Sequence, residues 1–250
     1  MAIAQAIIDR LPQYDYLYLG DTKRVPYGGR SQTTIHEFTS EALSYLFSHD
    51  CQLVILACNT ASAEALRKSQ QEYLPQHYPD RRVLGVIIPT AEAVFESGAI
   101  RRVGVLATAS TVESGAFPRE LIRQRPGTEI VGKPAPLLVP LIEHGGLKYI
   151  DPVIDDYLLD VQGVDAVVLG CTHYCLIKHK IRERVSVPVI SQDEVVPEKL
   201  ANYLRRHPEI ESKLGRNGER LYHVTDVTAG YEEWARALTG QPIHLEQVRI

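Results

Sequence analysis

An α/β fold built of two similar parallel-sheet halves is what this sequence predicts, and three observations carry the prediction. Short apolar runs alternate with Gly/Asn/Thr/Ser-rich turns and helical stretches along the 250 residues, the rhythm of strands joined by right-handed helical crossovers. Several of the runs are continuously apolar, as strands covered on both faces are. Third, "LVILACNTAS" (53–62) is echoed by "AVVLGCTHYC" (166–175): a strand, a small residue, a Cys and a polar pair containing Thr. The distance between the two cysteines fits no short solenoid repeat and suits two α/β halves.

In chain order, "MAIAQAIIDRLP" reads as an amphipathic helix with Ile3, Ile7, Ile8 and Leu11 on one side. A parallel sheet normally opens with a strand, so a helix in first position leaves the first unit without one. Strands follow at 14–21, 51–59, 81–87, 101–108, 128–134, 164–171 and 187–193. Helices are expected at 31–49, 60–73, 90–98, 111–124, 137–144, 149–161, 174–184 and 194–206. A last helix near 229–238, "GYEEWARAL", packs the C-terminus down.

Composition narrows the function. A net charge of −4 and short, scattered basic pairs give no electrostatic footprint for nucleic acid. No apolar run reaches the roughly 18–20 residues that span a bilayer, and the N-terminus has no signal-peptide pattern. Four cysteines are too few for a disulfide scaffold at this length, so they are expected as thiols in a reducing, cytoplasmic compartment.

The chemistry concentrates at the two echoed turns. Ligands of open α/β sheets bind outside the carboxyl ends of strands, where Cys58 and Cys171 both stand. A helix N-terminus there offers free N–H groups that stabilise a thiolate and bind carboxylates. Asn59-Thr60 and Thr172-His173 add side-chain donors. The bland reading makes each Cys a small buried hydrophobe ending a core strand; two in matching contexts weigh against it.

A metal site built on Cys171, His173, Cys175 and Cys58 is the chemical rival, but C-x-H-x-C is not a zinc-knuckle spacing and no second Cys/His pair supports it. A Cys–His hydrolase dyad is disfavoured because side chains two residues apart tend to diverge, which leaves His173 to bind substrate or tune the thiol. Cys51 and Cys175 read as packing residues. "GDTKRVPYGGRS" (20–31), with Asp21 and Tyr27, is a loop that lines a site or simply turns at the surface. The chain carries neither nucleotide-binding glycine motif. In "LATAST" (106–111) the hydroxyls serve first as helix caps.

Together "YLGDTKRVPYG" (18–28), "LACNTAS" (56–62), "VGVLATASTVESGAF" (103–117), "PLLVPLIEHG" (136–145) and "LGCTHY" (169–174) resemble the glutamate racemases of the aspartate/glutamate racemase superfamily. These signatures occur in family order over nearly the whole chain. The resemblance implies two Rossmann-like halves around a cleft, 1–86 plus 192–250 carrying Cys58 and 87–191 carrying Cys171. It also implies cofactor-independent racemisation of glutamate for peptidoglycan synthesis, with no cofactor and no metal, by a protein that forms a homodimer. By the same analogy Cys58 deprotonates D-glutamate, Cys171 deprotonates L-glutamate, and His173 supports Cys171. Pro26, Tyr27, Gly28, Asn59, Thr60, Thr172 and a hydroxyl of Thr108 or Thr111 then bind substrate.

The sequence departs from the pattern in three places. The family opens with a strand and an F-D-S-G-x-G-G turn, whereas Met1 stands in what corresponds to the helix after it. The first strand of the first half, and an Asp-Ser pair beside the first thiol, are therefore expected to be missing. Cys175 replaces a usual Pro, and "VISQDE" (189–194) replaces an "IDP/IDS"-like segment. The alternative function is accordingly a racemase-fold protein that only binds a dicarboxylate or a protein partner. Exchange of the glutamate Cα proton with solvent separates the two.

Overall fold

The computed structural model describes residues 1–240 and 242–250. Its first helix, α1 (Ala2–Arg10), buries Ile3 and Ile7, and Leu11 beyond it, while Ile8 is only half-buried. Strand β1 (Tyr16–Gly20) leads through a loop to α2 (Gln32–Ser48), whose Ser31 cap accepts the Thr34 N–H. Strand β2 (Leu53–Leu56) ends two residues before α3 (Asn59–Glu64).

The single helix expected over 60–73 is instead broken. After α3 come α4 (Leu66–Lys68), a π turn over Ser69–Tyr73 and α5 (Leu74–His77). Within the π turn, Gln70 Nε2 donates to the Val83 carbonyl at 2.7 Å, tying this segment to β3 (Arg82–Gly85).

Then α6 (Ile87–Glu96) precedes β4 (Arg102–Ala107). The helix expected over 111–124 is two, α7 (Ala109–Glu113) and α8 (Ala116–Gln124). They are separated by Gly115 at φ +64°, a left-handed conformation that costs glycine nothing. Next are β5 (Glu129–Pro134), α9 (Leu138–Glu143), α10 (Ile150–Leu159) and β6 (Ala166–Gly170). The helix expected over 174–184 is a 3-10 turn, Thr172–Ile177, followed by α11 (Lys178–Arg182). A two-residue β7 (Val189–Ile190) leads to α12 (Gln192–Arg206) and α13 (Pro208–Glu211).

Two strands stand where none was expected: β8 (Arg220–Val224), and β9 (Leu245–Gln247) after α14 (Ala229–Thr239).

Every strand pairing is parallel. Strands β5-β4-β6-β7 form one sheet, β1-β8-β9 a second and β2-β3 a third. Helices α6 and α8 cover one face of the four-stranded sheet through Ile87, Val94, Phe117 and Leu121. Its other face packs on α9 and α10 through Leu138, Ile142, Ile150 and Ile154.

The β2-β3 sheet lies between α1 with α12 on one side and α2 on the other. Leu53, Ile55 and Leu84 meet Ile3, Ile7, Val196 and Leu200, while Val54 and Val83 meet Leu43 and Phe47. Leu17 and Leu19 of β1 join the α2 cluster, so one helix seals two sheets. Burial of aliphatic surface on both faces holds such layers together. Among the described residues, no helix is long and apolar enough to cross a membrane.

Candidate active site

Five strand ends deliver the polar residues, as an open parallel sheet should. The 21–31 loop follows β1, Cys58 follows β2, Thr108 follows β4, Cys171 follows β6 and Thr225 follows β8.

Cys58 is the N-cap residue of α3 in an extended conformation, and its side chain opens to solvent. Although the residue is exposed, desolvation by the surrounding protein raises its thiol, while the Ala61 and Thr60 N–H groups and the Thr60 hydroxyl pull it back down. These are the unpaired donors of a helix's first turn, and they favour a thiolate.

The Thr60 hydroxyl lies 3.2 Å from that of Thr108 and 3.3 Å from that of Thr111, with 2.9 Å between the latter two. This triangle ties α3 to α7. Thr111 is fully buried, so its hydroxyl meets those of Thr60 and Thr108 and not solvent. Gly28 lies against Thr108: a Cβ there would meet the threonine Cβ at 3.2 Å. The Pro26-Tyr27-Gly28 segment thereby reaches the same place. Tyr27 donates its hydroxyl to Asp21, which also accepts from Arg24 Nε (2.7 Å) and from the Thr225 hydroxyl (3.0 Å). Burial raises the Tyr27 hydroxyl, Asp21 adds to the shift, and so does the charge of Cys58.

Cys171 is buried at the N-cap of the 172–177 turn. Gly170 lets β6 end there, because a Cβ would meet Ala107 Cβ at 2.8 Å and the Phe117 ring at 3.0 Å. Burial pushes the Cys171 thiol up to about 12, the His173 N–H opposes this, and the charges of Cys58, Cys175 and Glu143 add to it.

The expectation that His173 diverges from Cys171 is corrected by the tight 3-10 turn. Cys171 Sγ and His173 Nδ1 are 3.7 Å apart. His173 Nε2 lies 2.8 Å from Glu143 Oε1, whose carboxyl is held below its usual value by that bond. Glu143 is the residue that sequence reasoning missed; nothing in the "LIEHG" spacing announces that α9 ends beside His173. Cys175 donates its thiol to the Thr172 carbonyl at 2.8 Å and fastens the turn. Cys51 is half-buried, and burial raises its thiol to about 11.

Asn59, expected at the substrate, has its side chain turned into a closed pair with Gln192. Each amide donates to the other's carbonyl at 2.7 Å. Among the described residues no group of three or more His, Cys, Asp or Glu is placed to hold a metal ion.

The arrangement supplies two thiols at helix-turn N-termini, one with an imidazole–carboxylate relay, in a setting rich in hydroxyls. Thiols and an imidazole so placed can take up and give up protons. The profile of the Asp/Glu/hydantoin racemase family matches residues 1–195, and the chain belongs to that family. It is an amino-acid racemase, an isomerase, and its relatives are glutamate racemases. That of Dinoroseobacter shibae is 37% identical over 241 residues, 90% of this chain and 86% of the relative. That of Aquifex aeolicus is 35% identical over 247 residues, 97% of this chain and 91% of the relative. The crystal structure of glutamate racemase from Francisella tularensis in complex with D-glutamate superposes with a TM-score of 0.87 at 27% identity. The match covers 99% of this chain and 92% of that one.

Proposed function

We propose that the protein interconverts L- and D-glutamate without a cofactor, with Cys58 and Cys171 as the two acid/base groups. The observation that carries the reading is the pair of thiols, each set at the head of a helical turn, with Cys171 wired through His173 to Glu143. In one direction a Cys58 thiolate takes the Cα proton while the Cys171 thiol delivers one to the opposite face; the reverse direction exchanges the roles. One proton is taken and one is given, so the enzyme ends each turnover in the complementary protonation state.

The Glu143 carboxylate accepts from His173 Nε2–H, which leaves Nδ1 as an acceptor for the Cys171 thiol proton. A Cα–H flanked by a carboxylate is weakly acidic, so donors fixed before the reaction must stabilise the developing charge. The hydroxyls of Thr60 and Thr108, the first-turn N–H groups, Thr172, and the Pro26-Tyr27-Gly28 segment are those donors and contacts. Asn59, its side chain engaged, contributes backbone. The 87–191 segment and the remainder of the chain are the two halves that present Cys171 and Cys58. D-Glutamate for peptidoglycan is the physiological product, made in the cytoplasm, where unpaired thiols stay reduced; the expected assembly is a homodimer.

Incubation with L-glutamate in deuterium oxide, followed by NMR at Cα and by chiral chromatography, tests the reading. Loss of the Cα proton with appearance of D-glutamate is expected, and aspartate treated in parallel should remain unchanged. Absence of exchange with glutamate overturns it.

A further inference from the structure

Gln192 has no role in the proposed reaction, yet it closes a secluded polar pair directly beside Cys58. Asn59 is 3% exposed and Gln192 is 1% exposed. Their two 2.7 Å hydrogen bonds link residues 133 positions apart in the chain. Away from solvent such bonds are strong, and breaking one leaves a buried amide unpaired.

The two residues occupy equivalent places. Asn59 is the first residue of α3, directly after Cys58, and Gln192 is the first residue of α12. Helix α12 is itself anchored, with Val196, Leu200 and Leu204 packed on Ile3 and Ile7 of α1 and on Leu11 just beyond it. Its first turn also reaches the other thiol's surroundings: Lys178, directly after the 172–177 turn, pairs with Asp193 at 2.5 Å and with Glu194 at 2.8 Å. One helix N-terminus therefore holds both thiol-bearing turns, through Gln192 on one side and through Asp193 and Glu194 on the other.

We propose that Gln192 is a positioning residue for Cys58: its amide pair with Asn59 locks the first turn of α3, and with it the Cys58 N-cap, in place. This rests on reading Cys58 as an acid/base thiol, and it assigns a role to the "SQDE" segment where the chain departs from the family pattern. Gln192 acts through Asn59 and has no access to substrate.

The test uses the full-length Gln192→Met variant, which keeps the side chain's length and loses its amide, and Gln192→Glu, which retains the acceptor for Asn59 and loses the donor. The readout is the rate of Cys58 alkylation by iodoacetamide as a function of pH, followed by mass spectrometry of the Cys58 peptide, with Cys51 as internal control. At about pH 8, Gln192→Met should slow Cys58 alkylation about threefold to tenfold, with Gln192→Glu in between and Cys51 unaltered. A folded Gln192→Met protein that alkylates Cys58 at the parent rate overturns the proposal, as does a slowing that Cys51 shares. Should Gln192→Met not fold, Gln192→Glu decides by the same criterion. Alkylation needs no substrate, so its outcome stands apart from whether glutamate exchanges.

Discussion

At the scale of single residues, the Cys171–His173–Glu143 line is the most informative feature. The 2.8 Å contact to Glu143 fixes which imidazole nitrogen carries hydrogen, and that decides whether Nδ1, 3.7 Å from the sulfur, accepts or donates. Glu143→Gln should therefore lower the turnover rate about 10- to 100-fold while leaving KM within a few-fold, measured in both reaction directions. The same bond predicts a pH dependence. The Glu143 carboxyl lies below its ordinary value of 4.5 in the folded protein. Its contribution is thus present above 4.5 and lost as pH falls through the lower, folded-state value. Melting curves of parent and Glu143→Gln should differ most near neutrality and converge in acid; a constant difference would contradict this.

Cys58, Cys171, Asn59, Thr60 and His173 stand out in the sequence as candidates because small polar residues after an apolar strand are a local signal. Glu143 and Gln192 do not, because each meets its partner only through the fold. The Cys171–His173 contact was misjudged, since residues two apart diverge in regular elements but not at the entry to a 3-10 turn.

At the scale of elements, all seven strands read from apolar runs are present, and the sequence-level errors have local causes. Strand β8 carries no apolar-run signal because Arg220 and His223 interrupt it. His223 is 5% exposed and is tolerated there through a 2.8 Å hydrogen bond between its Nδ1 and the Tyr45 hydroxyl. Helices were drawn too long where Gly115 turns left-handed and where the chain widens into a π turn at Ser69–Tyr73.

Strand pairing gives a measurable ranking. Among the described residues β4, β6 and β8 are hydrogen-bonded on both sides, β4 and β6 in the longest sheet, whereas β1 pairs only with β8 and β2 only with β3. Amide exchange should thus be slowest in β4 and β6 and faster in β2. Equal protection of β2 and β4 by hydrogen-exchange mass spectrometry would contradict it. The threonine triangle between α3 and α7 carries its own expectation. Thr60→Val removes two hydroxyl contacts near a fully buried Thr111 and should cost about 1–2 kcal/mol in denaturant unfolding.

At the scale of the whole molecule, the internal echo of Cys58 and Cys171 corresponds to two strand ends, β2 and β6, each followed by a thiol at the head of a helical turn. What no local pattern could give is the way α12 reaches both turns, or the division of the strands into three sheets, since both depend on which segments become neighbours. The central claim is that the two thiols act as one acid/base pair on glutamate. Its most direct test is the rate of Cα deuterium incorporation into L- and D-glutamate by the parent, Cys58→Ser and Cys171→Ser proteins, each confirmed folded by its melting transition. Each single substitution should reduce glutamate racemisation about 10²- to 10⁴-fold. Parent-level racemisation by either folded variant would contradict the account.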